Sequence, residues 1–362
     1  MDPIKVGLIG YGYAGATFHA PLISAVAGLR LAYIASSSPE KVRQDFSRAE
    51  VVAHPDGVIG AADVGLVVIA SPNTTHYTLA KQALLANKHV VLEKPFTVTV
   101  AEAMELVQLA EEKKLLLSVF HNRRWDNDFL TVRACIASGM LGEINTYEAH
   151  FDRYRPDVRN RWREQDLPGS GSLYDLGSHL IDQALVLFGM PDAVSADLGT
   201  QRSGGKANDY FHLVLSYGTR RIILHSGMLV RDPGPHFQVH GSKGSFIKYG
   251  MDPQEEALKQ GRRPGDAPWG LEPETLHANI TLENGGLSIA GKVTSLPGAY
   301  QAYYQGMHEA IRNGGPAPVP AMDALNVIRV IETALASSDQ GCTLKVIGYP
   351  SLATSTKSHP PS

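Results

Sequence analysis

The stretch Ile4-Lys5-Val6-Gly7-Leu8-Ile9-Gly10-Tyr11-Gly12-Tyr13-Ala14-Gly15 decides the fold. Its first half is an apolar run of strand length; its second half spells G-x-G-x-x-G and leads into a helical pattern from Ala16 onward. Glycines set between a strand and a helix in this way suit the first turn of a dinucleotide-binding βαβ unit. Gly10 permits the tight turn, Gly12 lets the backbone approach a pyrophosphate, and Gly15 allows the helix to pack closely on the strand. Free N–H groups at the helix start then face the phosphates. Tyr11, within the loop, is counted with the expected cofactor site. The competing reading is a glycine-rich turn without a ligand, and the flanking strand and helix argue against it.

Outward from this loop, short apolar runs alternate with helical patterns, the signature of a parallel sheet. Candidate strands are Ile4–Ile9, Leu31–Ala35, Leu66–Ala70, His89–Glu93 and Leu115–Phe120, and Thr99 can cap a helix running through Glu102 to Ala110. The unbroken apolar run ending at Ala70 fits a sheet covered on both faces. After Asn122 longer, partly alternating strands follow at Glu143–Arg153, Tyr210–Tyr217, Arg221–Val230 and His236–Tyr249, with a hairpin turn at Gly218-Thr219. A surface loop is expected from Gly250 to Pro273, and helices near Tyr300–Arg312 and Met322–Ser338 should close the second domain. The expected fold class is therefore an α/β Rossmann-type parallel sheet domain over residues 1–122, then an α+β domain with a mostly antiparallel sheet over 123–348. Residues 349–362, rich in Ser, Thr and Pro, read as a disordered tail.

Bulk properties narrow the function. A chain of 362 residues suits two domains, and a net charge of −3 provides no positive field for duplex nucleic acid. Two cysteines, Cys135 and Cys342, form no disulfide framework, and no metal site is expected. There is no signal-peptide pattern and no run near the ~18 apolar residues of a membrane span, so the expected compartment is the cytoplasm, with no membrane partner.

The end of the second strand should separate NAD from NADP. An Asp or Glu there would bond the ribose 2′-hydroxyl and repel a 2′-phosphate. The sequence instead reads Ala35-Ser36-Ser37-Ser38-Pro39-Glu40-Lys41, whose hydroxyls and Lys41 can accept a 2′-phosphate, with Arg43 a weaker candidate. Lys41 could also be no more than a solvated helix residue. NADP is the expected preference and NAD the alternative.

Two further pieces bear on chemistry. Glu93-Lys94-Pro95 ends the fourth strand, at the edge where open α/β sheets bind ligands. The second, Gly169-Ser170-Gly171-Ser172-Leu173-Tyr174-Asp175-Leu176-Gly177-Ser178-His179, places Asp175 and His179 four residues apart on one helix face. A His near a carboxylate suits proton exchange with a hydroxyl near neutral pH. In isolation each piece has an ordinary alternative: a solvated lysine, a dipole-favoured aspartate, an amphipathic histidine.

Together, in this order, they resemble the Gfo/Idh/MocA oxidoreductase family over nearly the whole chain, to about residue 345. Ser71-Pro72-Asn73-Thr74-Thr75-His76 and Asn122-Arg123-Arg124-Trp125 are further family-like segments. The resemblance implies that Lys94, Asp175 and His179 are catalytic, and that Ser71, Pro72, Asn73, His76, Glu93, Lys94 and Asn122 border the cofactor. It implies NAD(P)-dependent hydride transfer between nicotinamide and a secondary hydroxyl or ketone of a cyclic polyol or sugar. Within the family the chain looks most like the NADP-using scyllo-inositol dehydrogenase-like members, which points to scyllo-inositol/inosose. It also implies a homodimer or homotetramer, built on a sheet face with no obvious covering helix. Arg153, Tyr154, Arg161, Trp162 and His236 are loose candidates for the substrate pocket. The main alternative is a non-catalytic NAD(P)- and sugar-sensing protein, and the complete set of Lys94, Asp175 and His179 weighs against it. A C–O-cleaving enzyme, or a reductive one acting on a carbonyl-like group such as an imine or tetrapyrrole, is a third reading.

Overall fold

The computed structural model describes residues 2–347, so the expected disordered tail lies outside the described residues. Its first part is a six-stranded parallel sheet of β1 (Ile4–Ile9), β2 (Leu29–Ala35), β3 (Glu50–Val52), β4 (Leu66–Ile69), β5 (His89–Leu92) and β6 (Leu117–Val119). The order β3-β2-β1-β4-β5-β6 is the doubly wound order of dinucleotide-binding folds. Every residue of β4 is fully buried, which explains the unbroken apolar run. Thr99 caps the helix Val100–Lys113 in a capping box: its hydroxyl accepts the Glu102 N–H at 3.2 Å, and the Glu102 carboxylate accepts the Thr99 N–H at 3.2 Å.

The second part is a nine-stranded sheet, in which β7 (Ile144–His150) pairs parallel with β10 (Arg220–Gly227) and the other pairs are antiparallel. The mixed class expected from the sequence is thus the class observed. Helices Ser178–Phe188 and Ala321–Gln340 supply Leu180, Ile181, Val327 and Ile331 to a core shared with Phe211, Leu213 and Leu215 of β9 (Tyr210–Tyr217). The alternate residues Tyr210, His212, Val214 and Ser216 lie half-buried on the opposite face.

Three local expectations differ from the structure. His236–Tyr249 is a hairpin of two strands, Phe237–Gly241 and Gly244–Lys248, rather than one long strand. The expected surface loop from Gly250 to Pro273 contains a helix, Gln254–Lys259, that buries Gln254, Ala257 and Leu258. The helix Gln301–Asn313 does not close the second domain: Tyr303, Tyr304 and Met307 pack with Val6, Leu8 and Phe120 of the first. Its amphipathic pattern shows which face is buried, not which sheet receives it.

Candidate active site

The cofactor loop is set by sterics. Gly10 has φ +98°, and a Cβ there would lie 2.7 Å from the Ala70 carbonyl oxygen. A Cβ on Gly15 would come within 2.1 Å of the Gly10 carbonyl oxygen, so the helix can approach the strand this closely only without a side chain. Gly12 faces open space, with nothing within 4 Å of an added Cβ. That gap, beside the start of the helical residues 13–24, fits a pyrophosphate against bare backbone.

The other expected cofactor residues follow the same carboxyl edge. Ser36, directly after β2, accepts the Ser38 N–H at 3.0 Å, and Ser37 and Lys41 are exposed. The Lys41 ammonium sits 5.7 Å from the ring centre of Tyr11, whose hydroxyl donates to Asp45 at 2.8 Å. After β4, Ser71 shares a hydrogen bond with Thr75, Pro72 is exposed, and buried Asn73 donates to the Gly169 carbonyl at 2.8 Å, tying this edge to the glycine-rich segment. His76 turns inward, with Nδ1 3.0 Å from the Pro95 carbonyl and Nε2 3.1 Å from that of Ser71. It braces the Glu93-Lys94-Pro95 turn from behind and does not line the cavity described next.

That cavity, of about 500 Å³, lies between the two parts of the chain and is lined by Lys94, Asn122, Asp175 and His179, among others. Glu93 borders it too, its carboxylate held by His19 at 3.0 Å and by the Lys94 N–H at 2.9 Å. The Lys94 ammonium donates to the Asp175 carbonyl at 2.6 Å and to its carboxylate at 2.9 Å. Burial alone would raise the Asp175 carboxyl, but Lys94 and then Arg163, 3.4 Å away, outweigh it and hold the group far below the usual carboxylate range. Burial likewise lowers the Lys94 ammonium, against the opposing pull of Asp175.

Asp175 and His179 do not lie on one regular α-helix. Leu173–Gly177 forms a π turn before the α-helix Ser178–Phe188, yet both side chains reach the same cavity. Burial first, then the positive charges of Lys94 and Arg123, depress the His179 imidazole well below its ordinary value. Its Nδ1 is buried without a hydrogen-bond partner.

Family models match residues 4–121, described as the NAD-binding Rossmann fold of an oxidoreductase family, and residues 133–346, described as that family's C-terminal alpha/beta domain. The chain belongs to the Gfo/Idh/MocA oxidoreductase family. It is 48% identical to the oxidoreductase YdgJ of Escherichia coli (strain K12), over 95% of this chain and 99% of the relative. It is 45% identical to the scyllo-inositol 2-dehydrogenase (NADP(+)) IolW of Bacillus subtilis (strain 168), over 95% of this chain and 96% of the relative. The solved structure of the oxidoreductase YvaA from Bacillus subtilis superposes with a TM-score of 0.94 at 44% identity, covering 96% of this chain and 99% of that one. As a Gfo/Idh/MocA protein, the chain is an NAD(P)-dependent dehydrogenase or reductase acting on CH–OH groups of a small molecule. No helix among the described residues is long and apolar enough to cross a membrane.

Of the looser pocket candidates, Arg153 and Arg161 line the cavity of this Gfo/Idh/MocA protein. Tyr154 is 42% exposed and stacks under Arg231; Trp162 stacks under Arg163; buried His236 bonds the His150 carbonyl, 3.6 Å from Asp128. Arg155, Arg159 and Arg163 line the cavity too and were not singled out from the sequence: Arg153 and Arg155 alternate along a short extended stretch, but the chain then bends, and Arg163 sits in the 3-10 turn Trp162–Glu164. Sequence reasoning also missed Glu255, which accepts from the Tyr13 hydroxyl at 2.6 Å and from Arg123 at 3.0 Å, joining the cofactor loop to the unexpected helix Gln254–Lys259.

Proposed function

We propose that the chain moves hydride between a secondary hydroxyl or ketone carbon of a cyclic polyol or sugar and nicotinamide, with NADP preferred and scyllo-inositol/inosose the first candidate pair. The observation that carries this reading is the Lys94–Asp175 pair, with His179 in the same cavity as Tyr13 and Ala14 of the glycine loop. The similarity to a scyllo-inositol 2-dehydrogenase supports the substrate class. When bound, the cofactor supplies the hydride chemistry at its nicotinamide ring. The backbone at Gly10, Gly12 and Gly15 holds the pyrophosphate, Ser36, Ser37 and Lys41 the 2′-phosphate, and Glu93, Lys94 and Asn122 border the nicotinamide side. Lys94 has two N–H groups committed to Asp175 and one left for the reacting oxygen. His179 takes or returns the hydroxyl proton through Nε2, because Nδ1 is sealed in. Asp175 holds Lys94 in place from the second domain.

The test is a steady-state screen of inositols, inososes and aldoses with NADP⁺, NAD⁺ and their reduced forms. Turnover of a cyclic polyol or sugar is expected; turnover confined to other carbonyl compounds would overturn the reading. Two predictions belong to the same set. Ser36→Asp is expected to weaken NADPH binding by roughly tenfold or more, since like charges at about 4 Å repel by about 1–4 kcal/mol. Fluorescence titration of NADPH and NADH checks this, and wild-type affinity for NADH equal to or better than for NADPH would sink the preference.

The second prediction concerns pH. His179 is held below its ordinary value, so its neutral, proton-accepting form persists as pH falls through about 6.5 and is lost only well below it. kcat/KM for oxidation should therefore stay level across that region. A decline centred near that pH would contradict the assignment. In the assembly we envisage, a second copy of the chain covers the half-buried sheet face around Val214 and Ile223, which are cross-strand partners. Light scattering that returned a monomer at micromolar concentration would remove it.

A further inference from the structure

Charge is distributed unevenly between the chain and its cavity. The whole sequence carries a net −3, whereas eight Lys and Arg side chains line the cavity against three carboxylates. Most of these cations are matched: Lys94 and Arg163 by Asp175, Arg123 by Asp126 and Glu255, Lys259 by Glu255, and Arg161 by Glu164. Arg153, Arg155 and Arg159 are not. Among the described residues, none of these three guanidinium groups has a hydrogen-bond or ion-pair partner, and Arg153 has only the Phe151 ring, 4.6 Å from its centre. Burial, and then neighbouring Arg155, push Arg153 down to about 10. Arg153 and Arg155 are half-buried and Arg159 is exposed; holding unpaired guanidinium groups together, two of them partly out of water, costs free energy that an anion bound there would recover.

The arrangement of the backbone is deliberate enough to hold such a group. Residues 151–155 run extended beside 225–230, with the Arg153 N–H donating to the Gly227 carbonyl at 3.0 Å and the Arg155 N–H to that of Met228 at 2.8 Å. Alternation sends Arg153 and Arg155 into the cavity and Tyr154 out to solvent. The charged groups acting on Arg155 are Arg161, Arg159, Asp175 and Glu164, all on the second domain. Arg153 also faces Tyr13 of the glycine loop, whose bare backbone is shaped for the cofactor's pyrophosphate. Planar guanidinium forks match carboxylate and phosphate oxygens in bidentate pairs, and a neutral polyol offers no such partner.

We infer that the substrate is a polyol or sugar bearing a carboxylate or phosphate, which Arg155 and Arg159, with Arg153, bind while its carbinol meets Lys94 and His179. This rests on the polyol or sugar dehydrogenase reading but departs from its first candidate pair, since scyllo-inositol and inosose carry neither group. The probe is inorganic phosphate, titrated calorimetrically into protein loaded with saturating NADPH. Binding is expected, weakening as salt is raised, and falling at least tenfold in the double variant Arg155→Gln/Arg159→Gln. NADPH affinity of that variant should stay within about twofold of the wild type, which also reports that the cavity is folded.

Phosphate binding that vanishes once NADPH is loaded would assign the cations to the cofactor's own diphosphate and overturn the inference. So would phosphate affinity unchanged in the variant, or no binding to the loaded wild type. A matched pair, D-glucose and D-glucuronate, extends the titration to sugars: tighter binding of glucuronate supports the inference, and equal affinities contradict it. Because these are binding measurements, failure of the underlying reading is seen separately, as absence of turnover in the substrate screen despite intact phosphate binding.

Discussion

Lys94→Ala is expected to lower kcat/KM by on the order of 10²–10³-fold, most of it in kcat, with NADPH affinity nearly unchanged. The ammonium is fixed by two bonds to Asp175, at 2.6 Å and 2.9 Å, so its remaining N–H is aimed before substrate arrives. A donor of this kind bonds the reacting oxygen more strongly as negative charge grows on it, and its loss is a transition-state loss. Removal should not unfold the chain, because Arg163 stays 3.4 Å from the Asp175 carboxylate. Asp175 acts through Lys94, so Lys94→Ala combined with Asp175→Ala should cost much less than the product of the single losses. Steady-state kinetics on the three variants checks this, and multiplicative losses would separate the two residues' roles.

His179→Asn should retain cofactor binding and lower kcat by on the order of 10²–10⁴-fold. The imidazole is buried in the cavity wall and kept neutral by burial and by Lys94 and Arg123, so it is ready to accept a proton from a hydroxyl. Asparagine fills similar space and can bond the substrate oxygen, but it cannot carry the proton. Thermal denaturation and NADPH titration of the same variant isolate the chemical effect. Near-normal turnover with every good substrate would make His179 a packing residue against Phe151, with which it stacks at 6.5 Å.

What could be read in advance followed the range of the interactions. The first sheet was legible because β1, β4 and β5 are nearly all apolar and each is followed by its helix within a few residues. β3 escaped because three residues, Glu50–Val52, carry no periodicity. Lys94 and Asp175 stand eighty-one positions apart, and no local pattern states that they meet; the family resemblance implied both residues, and their contact comes from the way the second domain folds back on the first. Glu255 was hidden by a six-residue helix set among Pro and Gly, a composition that reads as loop. The arginines at 153, 155, 159, 161 and 163 were visible as letters, but only the fold shows that the bends at 157 and 160–161 and the 3-10 turn Trp162–Glu164 bring them all to one cavity. The wide π turn at Leu173–Gly177 has no sequence signature here, and the four-residue spacing still brought Asp175 and His179 to one wall.

The most direct measurement uses the best substrate from the screen, deuterated at its carbinol carbon and mixed with NADP⁺ and excess wild-type enzyme. Mass spectrometry and proton NMR of the reduced cofactor then show where the label has gone. Deuterium should appear at nicotinamide C4, one label per turnover, with formation slowed relative to the unlabelled substrate and slowed much further in His179→Asn. Reduced cofactor that carries no deuterium, or label lost to solvent, would contradict direct transfer from a carbinol carbon held between Lys94 and His179.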